Sequence, residues 1–125
     1  KYHMKTEGGK LKGAEIFFKI PSVTVTETFI MAGVLAKGKT VLKNVAMEPE
    51  ITSLIKWLNL CGAKIKGEGT PVLEIEGGKL LKAEDRIYET IPDRLETGSF
   101  LILGALCASN LEICNCNPKH LEVVI

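Results

Sequence analysis

No stretch of this sequence is long and apolar enough to span a membrane as a helix. The longest run without a charged side chain, residues 97–111, has fifteen residues and contains Gly98, Ser99, Gly104, Ser109 and Asn110, whereas a spanning helix needs ~20 predominantly apolar residues. It reads as a buried helix. Charge of one sign is not in excess either: sixteen Lys and Arg face fifteen Asp and Glu, a formal +1, so the electrostatic footprint of a binder of nucleic acid or of an anionic bilayer is missing. No nucleic acid and no membrane is expected as a partner. Aromatics make up only 6% of the chain, but 46% of its residues are hydrophobic, so 125 residues can close one core, built mainly from aliphatic side chains. No basic-then-apolar leader opens the sequence, which points to the cytoplasm. It starts at Lys1 and stops at Ile125 inside an apolar run, so a segment of something longer is expected.

Metal-ligating residues are few. Two histidines and four cysteines are present, and Cys61, Cys107, Cys114 and Cys116 lie within apolar elements, not in loops. Reduced thiols of a cytosolic protein are the simplest account. The set Cys107, Cys114, Cys116 and His120 matches no zinc spacing, and no metal site is expected.

What the sequence does contain is a copy of part of itself. Residues 20–45, IPSVTVTETFIMAGVLAKGKTVLKNV, recur 71 positions later as residues 91–116, IPDRLETGSFLILGALCASNLEICNC, with seven identities (Ile20/Ile91, Pro21/Pro92, Thr26/Thr97, Phe29/Phe100, Gly33/Gly104, Leu35/Leu106, Asn44/Asn115) and mostly conservative apolar exchanges between. The shared order of punctuation and apolar spacing makes this an internal repeat.

In chain order, residues 2–5 and 13–19 flank Gly8-Gly9 and predict an opening hairpin. Pro21 ends the second arm. Ser22, Thr24 and Thr26 each offer a side-chain oxygen for a helix cap, and Thr24 and Glu27 have capping-box spacing, so a helix is expected to begin near residue 24. Its apolar face is Thr26, Phe29, Ile30, Gly33, Val34 and Leu35, and Lys37-Gly38 is its stop. A strand follows over 40–45. Glu48-Pro49-Glu50 then starts a second helix, because proline fits the first helical position and carboxylates favour the positive end of the dipole. Ile51, Leu54, Ile55 and Leu58 repeat at helical spacing until Gly62. Residues 63–66 and 72–76 are short strands joined by the turn-rich 67–71.

One unit is therefore strand, helix, strand, helix, strand, strand, over 1–78. The second, 79–125, starts again with a strand near 86–90, a helix capped by Asp93 with Glu96 three residues on, a strand over 111–116 and a last helix over 121–125. Its final hairpin is missing. The fold class is α+β, with mixed sheets and helices on one side; each strand-helix-strand run is a crossover, right-handed if its two strands are parallel in one sheet. The unfinished second unit is expected to fray or to associate, through Leu121, Val123, Val124 and Ile125.

These residues resemble the enolpyruvyl transferases. The resemblance rests on SVTVTE at 22–27, NVAMEPEI at 44–51, LCGAKI at 60–65 with GEGT at 67–70, and above all IPDRLETGSF at 91–100. It covers essentially the whole chain and is strongest to members whose acceptor is UDP-N-acetylglucosamine. NVAMEPE and PDRLETG argue against the shikimate-pathway member of the same fold.

The resemblance implies the enolpyruvyl transferase fold: two domains built from six strand-helix-strand-helix-strand-strand units. It implies transfer of the enolpyruvyl group of phosphoenolpyruvate to the 3-hydroxyl of UDP-N-acetylglucosamine, an early step of peptidoglycan synthesis. Phosphate leaves through a tetrahedral intermediate, with no metal or organic cofactor. The partner it implies is the rest of a parent enzyme.

Residue by residue, the nucleotide-sugar strip of the family falls on Ile20, Pro21, Ser22 and Val23, and cleft positions fall on Glu48, Asp93, Arg94 and Glu96. Each also has a plain structural role open to it: Ser22 as a helix cap, Glu48 as a carboxylate at a dipole, Asp93 and Glu96 as a capping box. The family usually carries a basic residue where Ile20 stands and glycine where Thr24 stands. The general-acid cysteine of the family, its Lys-Asn pair and its phosphate-binding arginines match no residue here. No catalytic residue is assigned, and the chain alone is expected to be inactive.

Overall fold

A computed structural model describes residues 6–107 and 110–125. They fall into two compact units, divided between Tyr88 and Glu89.

The first unit is strand β1 (Glu15–Phe17), helix α1 (Val23–Leu35), β2 (Gly38–Lys43), α2 (Pro49–Leu60), β3 (Ile65–Lys66) and β4 (Val72–Gly77). The sheet order is β1-β2-β4-β3. β1 runs parallel to β2, with Ile16 beside Leu42, so α1 is the crossover between them. β4 is antiparallel to β2, with Leu42 opposite Leu73, and to β3, with Ile65 opposite Ile75. The sheet is mixed, as expected.

Alternation along β2 and β4 decides which face is covered. Thr40, Leu42, Leu73 and Ile75 are buried, while Lys39, Glu74 and Glu76 are exposed. On the buried side they meet Ile30 and Val34 of α1 and Ile51 and Ile55 of α2 in one cluster with Phe18, Val45, Ala46 and Ile65. Each fully buried Leu or Ile here contributes roughly 1.5–3 kcal/mol. The open face carries ion pairs instead, Lys39 to Glu74 at 3.0 Å and Lys64 to Glu76 at 3.2 Å.

Local signals account for the ends of the helices. The N-cap of α1 is Ser22, whose hydroxyl accepts from Val25 N–H at 3.5 Å. Thr24, the candidate with capping-box spacing, is already inside the helix and exposed; of the cap candidates Ser22 takes the role. Leu35, expected on the apolar face, is 56% exposed: the inward stripe runs through Thr26, Ile30, Gly33 and Val34 and leaves it to one side. Pro49 opens α2 as expected. Gly62, at φ 97°, closes it, with Ala63 N–H bonded to Leu58 O at 2.9 Å and Gly62 N–H to Asn59 O at 3.0 Å, the two bonds of a Schellman motif. The Asn59 amide then donates to Ile65 O at 3.0 Å and accepts from Ile65 N–H at 2.9 Å, satisfying the outer edge of β3, beside which no further strand lies among the described residues.

Of the opening hairpin, the arm at 2–5 lies outside the described residues. Gly8 and Gly9 end a 3-10 turn, Glu7–Gly9, and the other arm shortens to β1.

The second unit is helix α3 (Arg94–Cys107) and a 3-10 turn, Pro118–Leu121. Three expected elements are corrected. Residues 86–90 are not a strand, and neither are 111–116. A strand is defined by its ladder, and no described strand lies beside either segment to receive its N–H and C=O groups. The helix expected over 121–125 is reduced to a turn in which Val124 and Ile125 N–H both bond to Leu121 O, at 2.7 and 3.0 Å; five residues fall short of the length that offsets helix nucleation. Leu121 itself, expected to be exposed, is buried.

Candidate functional site

Parallel pairing of β1 and β2 puts both of their C-terminal ends, and the helix starts that follow them, on one edge of the sheet. Two loops leave that edge, residues 18–22 into α1 and residues 44–48 into α2. Three hydrogen bonds link these loops and the elements they adjoin. Phe18 N–H donates to Lys43 O at 3.0 Å, the Asn44 side-chain amide to Phe18 O at 2.8 Å, and Ala46 N–H to the buried Thr26 hydroxyl at 3.1 Å. Asn44 adopts φ 59°, a conformation that asparagine tolerates better than most residues. The structure thus brings Ile20, Pro21, Ser22 and Val23 to the same edge as Glu48. Neither Asn44 nor Thr26 was singled out as a site residue, although both belong to the repeated positions; that recurrence was the available signal.

Within this group Ser22 does cap α1, but at 3.5 Å the bond is long; the residue is half-buried and its hydroxyl keeps acceptor capacity. Ile20 is 78% exposed and Pro21 is exposed, while Val23 is half-buried. Glu48 occupies the N-cap position of α2 without a side-chain capping bond. Its backbone carbonyl accepts from Ile51 N–H at 2.9 Å, and the residue is half-buried. Two helix starts on one edge present their positive dipole ends there, an arrangement suited to a phosphate or another anion.

Asp93, Arg94 and Glu96 form the second group, at the start of α3. The Asp93 carboxylate accepts from Leu95 N–H at 2.8 Å and from Glu96 N–H at 3.1 Å, and its carbonyl accepts from the Thr97 hydroxyl at 2.7 Å. Asp93 therefore caps this helix as expected, while Arg94 is half-buried and Glu96 exposed.

Within the first unit the thiol is remote from the first group. Cys61 follows the last residue of α2, thirteen residues from Glu48, which at 1.5 Å per residue is about 20 Å along the helix. Among the described residues no group of three His, Cys, Asp or Glu side chains is placed to hold a metal ion. Cys116 bonds to Ile113 O at 3.5 Å, and His120 Nε2 lies 3.0 Å from the Asn117 amide. No helix among the described residues is long and apolar enough to cross a membrane.

Over residues 1–125 the sequence matches the family described as EPSP synthase (3-phosphoshikimate 1-carboxyvinyltransferase). It is 43% identical over 119 residues to a UDP-N-acetylglucosamine 1-carboxyvinyltransferase of Thermodesulfovibrio yellowstonii, covering 95% of this chain and 28% of that protein. Enzymes of the same name from Campylobacter hominis, 49% identical over 119 residues (94% and 28% covered), and Acidobacterium capsulatum, 47% identical over 124 residues (98% and 28% covered), are similarly related. The chain spans a little over a quarter of the length of these relatives.

Proposed function

This chain belongs to the EPSP synthase family of enolpyruvyl transferases, and we propose that it is one part of a UDP-N-acetylglucosamine 1-carboxyvinyltransferase. The observation that carries the reading is the extent of the likeness: relatives of that name are 43 to 49% identical over nearly the whole chain, not over one motif. The activity is transfer of the enolpyruvyl group of phosphoenolpyruvate to the 3-hydroxyl of UDP-N-acetylglucosamine in the cytoplasm, for peptidoglycan synthesis, with release of phosphate.

In this reading residues 1–78 are one complete repeat and residues 79–125 the start of another. Features that recur at the 71-residue spacing support it. Ser22 and Asp93 cap their helices, and Thr26 and Thr97 are buried. Gly33 lies against Thr40 as Gly104 lies against Leu111, and Asn44 and Asn115 have φ 59° and 53°.

Ile20, Pro21, Ser22 and Val23 with Glu48, and Asp93, Arg94 and Glu96, are the residues this segment contributes to the nucleotide sugar and the cleft. Ser22 and the α1 N-terminus suit the diphosphate or a uracil edge, and Arg94 suits an anion. The proton donor and the remaining phosphate-binding side chains come from the rest of the enzyme.

The test is phosphate release from phosphoenolpyruvate by the full-length protein, dependent on UDP-N-acetylglucosamine, with the 125-residue chain inactive. Release that depends on 3-phosphoshikimate instead, the activity in the description of the matching family, would replace this reading with the shikimate-pathway one. Amide shifts confined to residues 20–24 and 93–97 on adding UDP-N-acetylglucosamine would place the contacts.

A second reading, a module that self-associates, draws on α3: Phe100, Leu103 and Leu106 are each more than half exposed, as is Ile125. A monomer by light scattering over a wide concentration range would rule it out.

A further inference from the structure

The loop that follows β2 is fixed to the body of the first unit at consecutive residues. Val45 N–H donates to Pro71 O at 3.2 Å and Ala46 N–H to the Thr26 hydroxyl at 3.1 Å, and both residues are buried. The loop that follows β1 is different. Lys19, Ile20 and Pro21 are exposed, and Phe18 before them is buried, its ring centroid 5.4 Å from that of Phe29 at 59°. Asn44 connects the two loops. It is the first residue after β2 and adopts φ 59°. Its side-chain amide donates to Phe18 O at 2.8 Å, while Phe18 N–H donates to Lys43 O at 3.0 Å. Both backbone polar groups of Phe18 are thereby tied to the end of β2, at the point where the chain turns out toward Ile20, Pro21, Ser22 and Val23.

We propose that Asn44 is a positioning residue for the nucleotide-sugar strip. Its amide passes the fixed geometry of the 44–48 loop to the exposed 18–22 loop, so that the strip stands preformed before the ligand arrives. This rests on the function proposed above and involves the first unit alone. Without the amide, Phe18 O loses its partner, and residues 19–21 must be ordered during binding at a cost in affinity. Asparagine meets two needs at once here, since it tolerates a left-handed backbone better than most residues and carries the donor. The net effect of one such hydrogen bond corresponds to about a two- to tenfold change in an equilibrium constant.

The experiment uses the full-length protein with Asn44→Gly and Asn44→Asp, which separate the two needs. Glycine takes a positive φ freely and lacks the amide. Aspartate keeps the shape and tolerates the backbone, but its carboxylate cannot donate and faces the Phe18 carbonyl. One readout is hydrogen–deuterium exchange of the segment 18–22 by mass spectrometry, and the other is steady-state kinetics with each substrate varied in turn. Both variants are expected to quicken exchange in this segment and to raise KM for UDP-N-acetylglucosamine about two- to tenfold, with kcat and KM for phosphoenolpyruvate unchanged. A purely structural role would lower kcat through loss of folded enzyme and leave both KM values alone. Unaltered exchange, quickened exchange with an unchanged KM for UDP-N-acetylglucosamine, or an equal rise in both KM values overturns the proposal. If Asn44→Gly does not fold, Asn44→Asp decides by the same criteria, and failure of both to fold overturns the proposal by assigning Asn44 to the fold itself. A wild-type enzyme inactive with these substrates would instead sink the proposed function, while exchange over residues 18–22 still reports whether Asn44 holds the loop.

Discussion

Replacing Thr26 by valine should loosen the candidate site without disturbing the packing beneath it. Thr26 is fully buried on the inward side of α1, and its hydroxyl accepts from Ala46 N–H at 3.1 Å. Valine has nearly the same volume and the same β-branch, so neither a cavity nor a change in helix propensity of any size follows. What remains is a buried backbone N–H without its partner, which costs about 1–3 kcal/mol. With an m-value of about 2 kcal/mol/M in urea, a loss of ~2 kcal/mol lowers the denaturation midpoint by about 1 M. Thr26→Ser is the control. It keeps the hydroxyl and gives up one buried methyl, about 1 kcal/mol. The distinguishing assay is amide exchange at Ala46, which should quicken by roughly 5- to 100-fold in Thr26→Val, at 1.4 kcal/mol per factor of ten, and little in Thr26→Ser. Equal exchange at Ala46 in the two variants would refute the reasoning, because the hydroxyl would then not be holding the loop that delivers Glu48.

Gly77→Ala should destabilise the first unit by about 3 kcal/mol, since a Cβ there would overlap the backbone carbonyl oxygens of Gly33 and Ala36, and backbone cannot swing aside as a side chain can; thermal melting checks it, and a Tm within a degree of wild type contradicts it. Asp93→Ala removes both bonds to the first turn of α3 and should cost about 1 kcal/mol, with Asp93→Asn nearly neutral; faster exchange of the Leu95 and Glu96 amides in the alanine variant alone is the expected sign. The Glu76 carboxyl is held below its ordinary pKa, first by the hydrogen bond from Lys64 and then by the charge of that same lysine. A lowered folded-state pKa means that any stability it contributes is present above the unfolded pKa and is lost as pH falls through the folded value. The pair is exposed, so the effect should be small and screened by salt; Lys64→Gln should move the Glu76 titration, followed by carbon NMR, back upward, and no movement would remove Lys64 as the cause.

Much of the fold is written in short stretches of sequence. Pro49 with Glu48 and Glu50 marks the start of α2, Gly62 its end, and Asp93 the cap of α3, because each signal acts within one helical turn on N–H or C=O groups it can reach directly. The alternation of Leu73 and Ile75 with Glu74 and Glu76 likewise states which face of β4 is buried. Where local signals competed, as between Ser22 and Thr24 for the cap of α1, spacing alone favoured the wrong residue.

The candidate site was legible only in halves. Its members were located by the resemblance, and the role of Asp93 as a cap by spacing, but the joining of the two loops depends on bonds from Asn44 to Phe18 and from Ala46 to Thr26, across 26 and 20 residues. Residues 111–116 show the opposite failure: apolar alternation announces a strand, yet a strand exists only when a neighbour takes its hydrogen bonds.

The sequence by itself determined where α1, α2 and α3 lie, both ends of α2, the cap of α3 and most of the inward-facing residues, because these follow from interactions within a few residues of chain. Tertiary structure alone decided that β1 lies parallel to β2, that β4 enters between β2 and β3, and that two helix starts share one edge. Those choices depend on which distant surfaces bury each other and which buried polar groups find partners, and no local pattern encodes that competition.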